Sequence, residues 1–430
     1  MELPATANWI AHWAGQVDQV LSAYMGVFFV AFVVAFAMTP LMRWLAVANG
    51  VVDWPDLKRK AHIEPVAYLG GVAIFLGWFA AIFLSLFLNR HDAPGVRVDF
   101  PMLIVFGASV IVFVGLIDDV AGVSPRVKVG GQLIAAAMLA SQKAGGQMLG
   151  AQLVIKTFAV AGIDMPYQPA YILGTVIIAL FVLGGCNSVN LLDGLDGLAA
   201  GTSAISALGF LMIAVFVAIR ISGSEPQLAE ADPQYDSVRL VMCLALLGAL
   251  LGFLPYNFNP ANIFMGDAGS LLIGYLCVSA MLLFAHTAAM GPFYVMACLI
   301  VFAVPITDTT LALVRRKLRG QPLFSPDREH LHHRLLGGMQ RLGLGPNAAV
   351  KATVITIYAI AAMFAVLGFA IVLLRARYVL AVFMVLFCFL VVMAYKIGHQ
   401  QALHTRQVGQ TEAAADLAPN VTDNGPPPSA

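Results

Sequence analysis

Four polar motifs interrupt an otherwise apolar chain of 430 residues, and their residue types suit phosphate and metal chemistry. The first motif is the adjacent pair Asp118 and Asp119, which directly follows an apolar run. Two neighbouring carboxylates repel each other, so a shared cation or nearby Lys and Arg residues are needed to keep both ionised. Lys128 follows within ten residues and is a candidate partner. Taken alone, such a pair is more typical of a solvated helix end.

The second motif, NSVNLLDGLDGLAAG, is the most specific one in the chain. It places a polar side chain at every third position, in the order Asn187, Asn190, Asp193, Asp196. Residues with this spacing tend toward one side of a helix or tight turn. The glycines of the motif allow the backbone to approach a ligand closely. A helix packed in lipid has no use for four such groups, which favours a functional site.

The third motif, FLPYNFNPANIFMGDAGS, ends with Asp267 at the start of another apolar run. An acid at the start of a helix can serve as a cap. It can also bind a metal ion, while the nearby helix N-terminus favours an anionic phosphate. The sequence leaves both roles open.

The fourth motif is a set of histidines with the spacing HxHH, at His330, His332 and His333. Zinc sites usually place His at i and i+4 on a helix or combine His with Cys, so HxHH is a poor zinc signature. Imidazoles that donate hydrogen bonds to phosphate oxygens fit better, because arginines surround the motif. Arg315 and Arg316 precede it, although basic residues next to a span also commonly contact anionic lipid.

Acids, glycine turns and a cluster of Arg and His are together the inventory that phosphoryl transfer requires. Oxygen ligands select a hard cation, so we expect Mg²⁺, with Mn²⁺ as a substitute. A weaker basic segment contains Lys60, a further candidate for substrate binding. The sequence predicts no nucleic-acid partner.

The apolar runs that position these motifs are long enough to cross a membrane. Hydrophobic residues make up 60% of the sequence and charged residues only 11%, which excludes an ordinary soluble domain. Runs of about 20 residues, enough to cross ~30 Å of hydrocarbon, recur along the chain. We predict an all-α polytopic membrane protein with about eleven transmembrane helices, near residues 21–45, 67–88, 100–117, 129–142, 170–186, 197–219, 238–255, 268–287, 292–311, 351–374 and 378–396.

The distribution of Lys and Arg predicts the orientation, because these residues are enriched in cytoplasmic loops. With the N-terminus outside, two thirds of the 24 Lys and Arg residues, together with all four motifs, fall on the inner side. We therefore expect the N-terminus out, the C-terminus in and an active site on the cytoplasmic face. Residues 1–20 would form a periplasmic segment, 21–396 the transmembrane catalytic domain and 397–430 a disordered cytoplasmic tail.

The motifs DD, NxxNxxDGxDGL, FMGDAGS and HxHHRL, in this order and on one side, resemble the polyprenyl-phosphate N-acetylhexosamine-1-phosphate transferases of glycosyltransferase family 4. The resemblance covers residues 20–396. The HxHH form is similar to the undecaprenyl-phosphate N-acetylglucosamine-1-phosphate transferases. It implies that a UDP-N-acetylhexosamine, most simply UDP-GlcNAc, reacts with undecaprenyl phosphate in the bacterial inner membrane. The products would be UMP and a lipid-linked sugar diphosphate that starts a cell-envelope polysaccharide such as O-antigen.

The resemblance also implies catalytic roles for individual residues. Asp267 would be the principal Mg²⁺ ligand. Asp118 and Asp119 would orient or deprotonate the lipid phosphate and help to hold the metal complex. Asn190 and Asp193 would line the diphosphate and metal site, with Asp193 as a second ligand.

Further residues would bind the substrates. Three residues match positions that hold uracil in the relatives: Asp196, Asn257 and Phe264. The sugar and phosphates would be bound by the nearby arginines and by His330, His332 and His333. The sequence departs from the family at one point, because many members have a third acid in a DDxxD motif where this chain has Gly122.

Two alternatives stay open alongside this interpretation. Phospho-N-acetylmuramoyl-pentapeptide transferases share the fold of the family but more often carry consecutive histidines. A membrane transporter would need ionisable groups near the bilayer midplane, commonly on broken helices, whereas most acids here lie at the ends of spans. A homodimer in contact with membrane lipid is one option for the assembly.

Overall fold

The computed structural model describes residues 5–53, 65–88, 100–144, 146–222, 233–287, 290–318, 330–374, 378–386, 388, 392 and 396. These residues are predominantly helical, which confirms the predicted all-α class. Their helices are α1 (Ala5–Ser22), α2 (Met25–Ala48), α3 (Gly70–Leu88), α4 (Met102–Ala121), α5 (Pro125–Ala140), α6 (Leu149–Ala159), α7 (Tyr167–Leu192), α8 (Leu198–Ser222), α9 (Pro233–Asn257), α10 (Gly266–Leu283), α11 (Gly291–Val301), α12 (Ala303–Leu318), α13 (Leu331–Arg341) and α14 (Pro346–Val372).

Two short antiparallel hairpins connect helices of the bundle. In the first, β1 (Val52–Asp53) pairs with β2 (Val66–Ala67). In the second, β3 (Lys143–Ala144) pairs with β4 (Gln147–Met148). Ala67 also forms a parallel bridge with Ile263, so the first hairpin lies against the segment that leads into α10.

The helix α10 lies at the centre of the bundle. Every residue of α10 except Asp267 is buried. A helix that is apolar around its whole circumference packs in the interior, because no face of it favours water. It contacts α3, α4 and α7. The first turn of α10 is therefore fixed by several neighbouring helices.

Within the described part of the chain, eight helices of at least 18 residues are apolar enough to cross a membrane, namely α2, α3, α4, α7, α8, α9, α10 and α14. Together α11 and α12 form a ninth candidate, bent by 73° at the break around Phe302. Large apolar side chains such as Trp44 and Phe113, each 64% exposed, face outward, as expected for a surface solvated by hydrocarbon. The described residues thus confirm a multi-pass membrane protein, whereas the number of eleven spans and the orientation stay predictions.

Two of the predicted spans are not among these candidates. The predicted span 129–142 corresponds to α5, whose 16 residues rise about 24 Å and fall short of ~30 Å of hydrocarbon. The predicted span 378–396 lies partly outside the described residues. The sequence analysis also missed α1 and α6, because polar residues interrupt the apolar run in α1 and α6 has only 11 residues.

A glycine allows α4 and α10 to touch. A Cβ atom added at Gly115 of α4 would lie 2.5 Å from the Cα of Ala268 in α10. Real Cβ atoms do not approach a backbone atom so closely, so any side chain here would separate the two helices. Because Asp118 and Asp119 follow on α4 and Asp267 precedes Ala268, this contact sets the distance between the acids.

We expect Gly115→Ala to lower the melting temperature of the purified protein. An added methyl group in a packed interior typically costs about 1–3 kcal/mol of unfolding free energy. Gly→Ala within a helix is otherwise stabilising by roughly 0.5–1 kcal/mol. The matched control is Gly184→Ala in α7, where no described atom lies within 4 Å of the added Cβ. Equal melting temperatures for the two variants would show that the backbones of α4 and α10 are not in contact.

Candidate active site

Three carboxylates meet where α4 ends and α10 begins. Asp118 and Asp119 lie in the last turn of α4, and Asp267 lies in the first turn of α10. One carboxylate oxygen from each lies within 4.8 Å of the other two. Gly122 ends α4 with a φ of +66°, a conformation that favours glycine over the acid of a DDxxD motif. The third carboxylate of this acid cluster therefore comes from α10.

The Asp119 carboxylate caps α10 from a different helix. Its Oδ1 accepts a hydrogen bond from the backbone N–H of Asp267 at 2.7 Å, and its Oδ2 accepts one from Ala268 at 3.1 Å. The first N–H groups of a helix have no partner within that helix, so these bonds satisfy two of them. Both oxygens of Asp119 are thereby directed at the start of α10.

Lys128, in the first turn of α5, is the cation closest to this cluster in the described part of the chain. Its Nζ lies 2.6 Å from Oδ2 of Asp118 and also forms an ion pair with Oδ2 of Asp267. Burial alone would lower the pKa of Lys128, but the hydrogen bonds to the two carboxylates outweigh burial and raise it. Lys128 therefore stays protonated beside the acids.

The second motif contributes Asn190 and Asp193 at the end of α7. Nδ2 of Asn190 donates to Oδ1 of Asp267 at 2.9 Å and to Oγ of Ser270 at 2.9 Å. Burial, followed by the negative charges of Asp267, Asp119 and Asp196, raises the pKa of Asp193 to about 8. Asp193 thus lies close to the acid cluster, although it is not one of the three carboxylates that converge within 4.8 Å.

Asn187, the first residue of the motif, is directed elsewhere. Its Nδ2 donates to Oε1 of the buried Gln132 at 3.0 Å, which connects α7 to α5. Asn187 therefore serves packing, and the spacing of three does not bring all four polar residues of the motif to one ligand.

Contacts on both sides fix the turn after Asp193. Oδ2 of Asp196 accepts hydrogen bonds from Nδ2 of Asn259 at 2.9 Å and from the backbone N–H of Ala261 at 3.0 Å. On the other side, the Tyr358 hydroxyl of α14 donates to the carbonyl of Gly197 at 2.5 Å. The turn is therefore held between α14 and the segment that connects α9 to α10.

The other two predicted uracil contacts lie at the end of α9 and on that connecting segment. The buried Asn257 donates from Nδ2 to the carbonyl of Ile263 at 3.0 Å. Its Oδ1 has no hydrogen-bond partner among the described residues. The ring of Phe264 meets that of Tyr68 edge to face, with centroids 6.0 Å apart. The structure thus brings Asp196, Asn257 and Phe264 to one segment, and their contact with uracil stays a prediction.

The histidine motif forms the beginning of α13. The rings of His330 and His332 stack with centroids 5.6 Å apart, and those of His332 and His333 lie 4.2 Å apart. A side chain at position 194 would collide with the His332 ring. The histidines therefore contact the turn formed by residues 193–197, the DGLDG turn, through Gly194. Burial, and then the charge of His333, lowers the pKa of His332 to about 3. His332 is therefore neutral at physiological pH.

The remaining predicted site residues are Arg315, Arg316 and Lys60. Arg315 and Arg316 are buried in the last turn of α12, with exposed fractions of 3% and 6%. Lys60 lies outside the described residues, so its role stays a prediction.

Asp308, which contacts the start of the histidine motif, was not among the predicted site residues. Oδ2 of Asp308 lies 2.9 Å from Nδ1 of His330, and Oδ1 accepts the backbone N–H of Leu331 at 2.8 Å. A signal was present, because an acid inside the predicted span 292–311 is costly and marks a polar site. Ser270 and Asn259 were also missed, and their partners lie too far away in sequence to be found from spacing.

Comparison with known proteins supports the family resemblance that the motifs predicted. Residues 101–285 match the family described as glycosyl transferase family 4. A probable undecaprenyl-phosphate N-acetylglucosaminyl 1-phosphate transferase of Bacillus subtilis (strain 168) is 33% identical over 309 residues, which cover 72% of this chain and 76% of that protein.

Two further relatives extend the comparison. A decaprenyl-phosphate N-acetylglucosaminephosphotransferase of Mycobacterium tuberculosis (strain ATCC 25618 / H37Rv) is 36% identical over 323 residues, which cover 71% of this chain and 74% of that protein. A phospho-N-acetylmuramoyl-pentapeptide-transferase of Bacillus cytotoxicus is 30% identical over 325 residues, which cover 72% of this chain and 88% of that protein.

Fold, site and relatives together define a multi-pass membrane transferase whose polar motifs meet at one end of a helical bundle. The chain belongs to glycosyl transferase family 4, as the sequence motifs predicted.

The raised pKa of Asp193 predicts a pH-dependent stability. An Asp titrates near 3.9 when unfolded, so the folded protein binds the Asp193 proton more tightly and loses stability as pH rises from about 4 through about 8. We expect Asp193→Asn to remove part of this loss. With a metal chelator present, the variant should melt a few degrees above the wild-type protein at pH 8.5.

Thermal unfolding monitored by intrinsic fluorescence at pH 5 to 8.5 measures this effect. Asp164→Asn is the control, because Asp164 is exposed on the connection between α6 and α7. If Asp193→Asn melts below wild type at pH 8.5, the Asp193 carboxylate is stabilised by its surroundings and the argument is wrong.

Proposed function

We propose that this protein transfers an N-acetylhexosamine 1-phosphate, GlcNAc 1-phosphate in particular, from a UDP-sugar to undecaprenyl phosphate, releasing UMP. The proposal rests on one observation above all: acids from two separate helices converge at the start of α10. The relatives from Bacillus subtilis and Mycobacterium tuberculosis support the choice of substrates, since their names specify a polyprenyl phosphate and N-acetylglucosamine.

The acid cluster is suited to a divalent cation. Asp118, Asp119 and Asp267 offer closely spaced carboxylate oxygens, which hard cations such as Mg²⁺ and Mn²⁺ prefer. We assign Mg²⁺ to these residues, with Asp193 beside them. When bound, the cation would neutralise charge on the diphosphate of the donor. Asn190 would hold the Asp267 carboxylate in place through its hydrogen bond to Oδ1.

The acceptor needs positioning more than deprotonation. A phosphomonoester has a second pKa near 6, so the lipid phosphate is largely dianionic at pH 7. One of its oxygens would attack the β-phosphorus of the UDP-sugar and form the new P–O bond. The bond from that phosphorus to the bridging oxygen breaks, and UMP leaves with the electron pair. Asp118 and Lys128 would orient the attacking phosphate.

The donor would be bound by the connecting segment and the histidines. Asp196, Asn257 and Phe264 would hold the uracil, and the buried Oδ1 of Asn257 without a described partner is suited to accept an N–H of a ligand. His332 has no hydrogen-bond partner at either ring nitrogen among the described residues. As a neutral imidazole it can donate one hydrogen bond to a phosphate or sugar oxygen.

Further binding groups complete the proposed donor site. His330 and His333 lie beside His332, and Arg315 and Arg316 are on the adjacent α12. Arginine suits phosphate because its planar guanidinium can form two parallel hydrogen bonds. We assign the sugar and phosphates to this group of cations and imidazoles.

We place the reaction at the cytoplasmic face of a bacterial inner membrane, with the N-terminus outside, because Lys and Arg are enriched on the side of the site. Its product would start a cell-envelope polysaccharide such as O-antigen. A phospho-N-acetylmuramoyl-pentapeptide transferase activity is the second candidate, since the Bacillus cytotoxicus relative of that name is 30% identical.

The donor can be identified by UMP release. Purified protein with undecaprenyl phosphate and Mg²⁺ should release UMP from UDP-GlcNAc faster than from UDP-GalNAc or UDP-N-acetylmuramoyl-pentapeptide. Omitting the lipid phosphate should abolish release, because water is not the nucleophile. Release without lipid phosphate would instead indicate a hydrolase, and absence of release with every donor would contradict the proposed reaction.

Asp267→Asn should retain the fold and lose at least 100-fold in kcat. The amide has the shape of the carboxylate and can still accept the hydrogen bond from Asn190, but it lacks the charge that holds a cation. UMP release and the melting temperature are measured together, with Asp164→Asn as the control expected to match wild type in both. A variant that keeps more than a tenth of the wild-type rate at saturating Mg²⁺ would limit Asp267 to a helix-capping role.

A further inference from the structure

Asp308 is an acid in the interior of the bundle that the proposed reaction does not use directly. It lies in α12, five residues after the helix begins, and only 1% of its surface is exposed. A buried charge is costly unless it is paired and hydrogen-bonded, so its contacts indicate what it does.

Both oxygens of Asp308 are directed at the beginning of α13. Oδ1 accepts the backbone N–H of Leu331 at 2.8 Å. Oδ2 lies 2.9 Å from Nδ1 of His330, which is itself buried. Because an ionised carboxylate can only accept, Nδ1 of His330 must be the donor. Asp308 therefore caps α13 and also fixes which ring nitrogen of His330 is protonated.

The consequence concerns the other ring nitrogen. Nε2 of His330 has no hydrogen-bond partner in the described part of the chain. With Nδ1 held by Asp308, the ring can rotate little, and Nε2 is the atom that can contact a ligand. A carboxylate behind a histidine fixes the tautomer and ring orientation in this way at metal sites and in catalytic triads.

The orientation of His330 also affects its neighbours. Its ring stacks on His332 at an interplanar angle of 9°, and His332 in turn packs against Gly194 of the DGLDG turn. A change in His330 would therefore shift the surface formed by the histidines and the turn. Asp308 holds the His330 ring, and the contacts of His332 with that ring and with the turn depend on this position.

We propose that Asp308 is a positioning residue that acts through His330, holding Nδ1 so that Nε2 faces the phosphates and sugar of the donor. The assignment of the ligand rests on the proposed function, whereas the assignment of the protonated nitrogen does not. The rival is a purely structural role, in which Asp308 stabilises the start of α13 and has no effect on the His330 ring.

A double-mutant cycle separates these roles. Asp308→Asn should lower kcat/KM for UDP-GlcNAc by about 10–100-fold, the usual effect of losing a residue that orients a ligand-binding histidine. His330→Ala should cost at least as much, and the double variant no more than His330→Ala alone. Thr309→Val is the matched control, because Thr309 is the buried neighbour of Asp308 and its hydroxyl has no partner among the described residues. It should retain wild-type kcat/KM.

The outcome of the cycle decides between the roles. If the losses of the two single variants multiply in the double variant, Asp308 does not act through His330, and the proposal is wrong. An equal loss in Asp308→Asn and Thr309→Val would likewise indicate general damage to α12.

A second measurement does not depend on transfer activity. In protein labelled with ¹⁵N-histidine, the shifts of the His330 ring, assigned with His330→Gln, should show a proton on Nδ1. Asp308→Asn should populate the form protonated on Nε2. A wild-type ring protonated only on Nε2 overturns the proposal even if UMP is released. Conversely, a ring with the expected tautomer in a protein that releases no UMP contradicts only the proposed function.

Discussion

The hydrogen bonds from the start of α10 to the Asp119 carboxylate are the constraint on which the site depends. The N-terminal N–H groups of a helix need acceptors, and inside an apolar bundle water cannot supply them. Asp119 satisfies two of these groups from α4, and Gly115 lets the two helices touch. Asp267 is therefore fixed beside Asp118 and Asp119 by backbone geometry. The positive end of the α10 dipole also offsets part of the repulsion among the acids.

The same kind of capping occurs at the beginning of α13, where Asp308 accepts a hydrogen bond from the backbone N–H of Leu331. In both places a carboxylate from one helix caps another, and the capped helix carries a residue of the candidate site, Asp267 in one case and the histidine motif in the other. Capping and positioning are thus combined, because the carboxylates that satisfy the buried helix ends also fix the side chains of the candidate site.

Much of this arrangement could be predicted from the sequence. The apolar runs predicted the long helices, and the motifs predicted that Asp118, Asn190 and Asp267 would meet. The partners of the helix ends could not be predicted, because Asp119 and Asp267 lie 148 residues apart and their contact depends on how α4 and α10 pack. Asp308 stands out as an acid inside an apolar run, but its contact with His330 could not be predicted, because that contact depends on how α12 and α13 pack.

The span number and the metal ligands stay predictions for other physical reasons. The number of spans depends on helix length and bending, such as the 73° bend between α11 and α12, which hydropathy alone does not reveal. Asp193 was predicted as a second ligand beside Asp267, whereas the acids closest to Asp267 are those of α4. The spacing of three residues in the second motif indicated a shared side of the helix, but it could not give the distance from Asp193 to Asp267 on another helix. The role of Asp193 stays a prediction.

The charge balance of the site places a condition on how substrates bind. Lys128 is paired with two of the acids, and burial together with the neighbouring acids raises the pKa of Asp193, so the site disfavours a further negative charge. A nucleotide diphosphate would add several negative charges next to these carboxylates. Repulsion of that size is poorly screened in a partly buried site. Under the proposed function, the anionic donor should therefore bind together with a divalent cation or after it. Its affinity for the protein should therefore depend on the cation before any bond is broken.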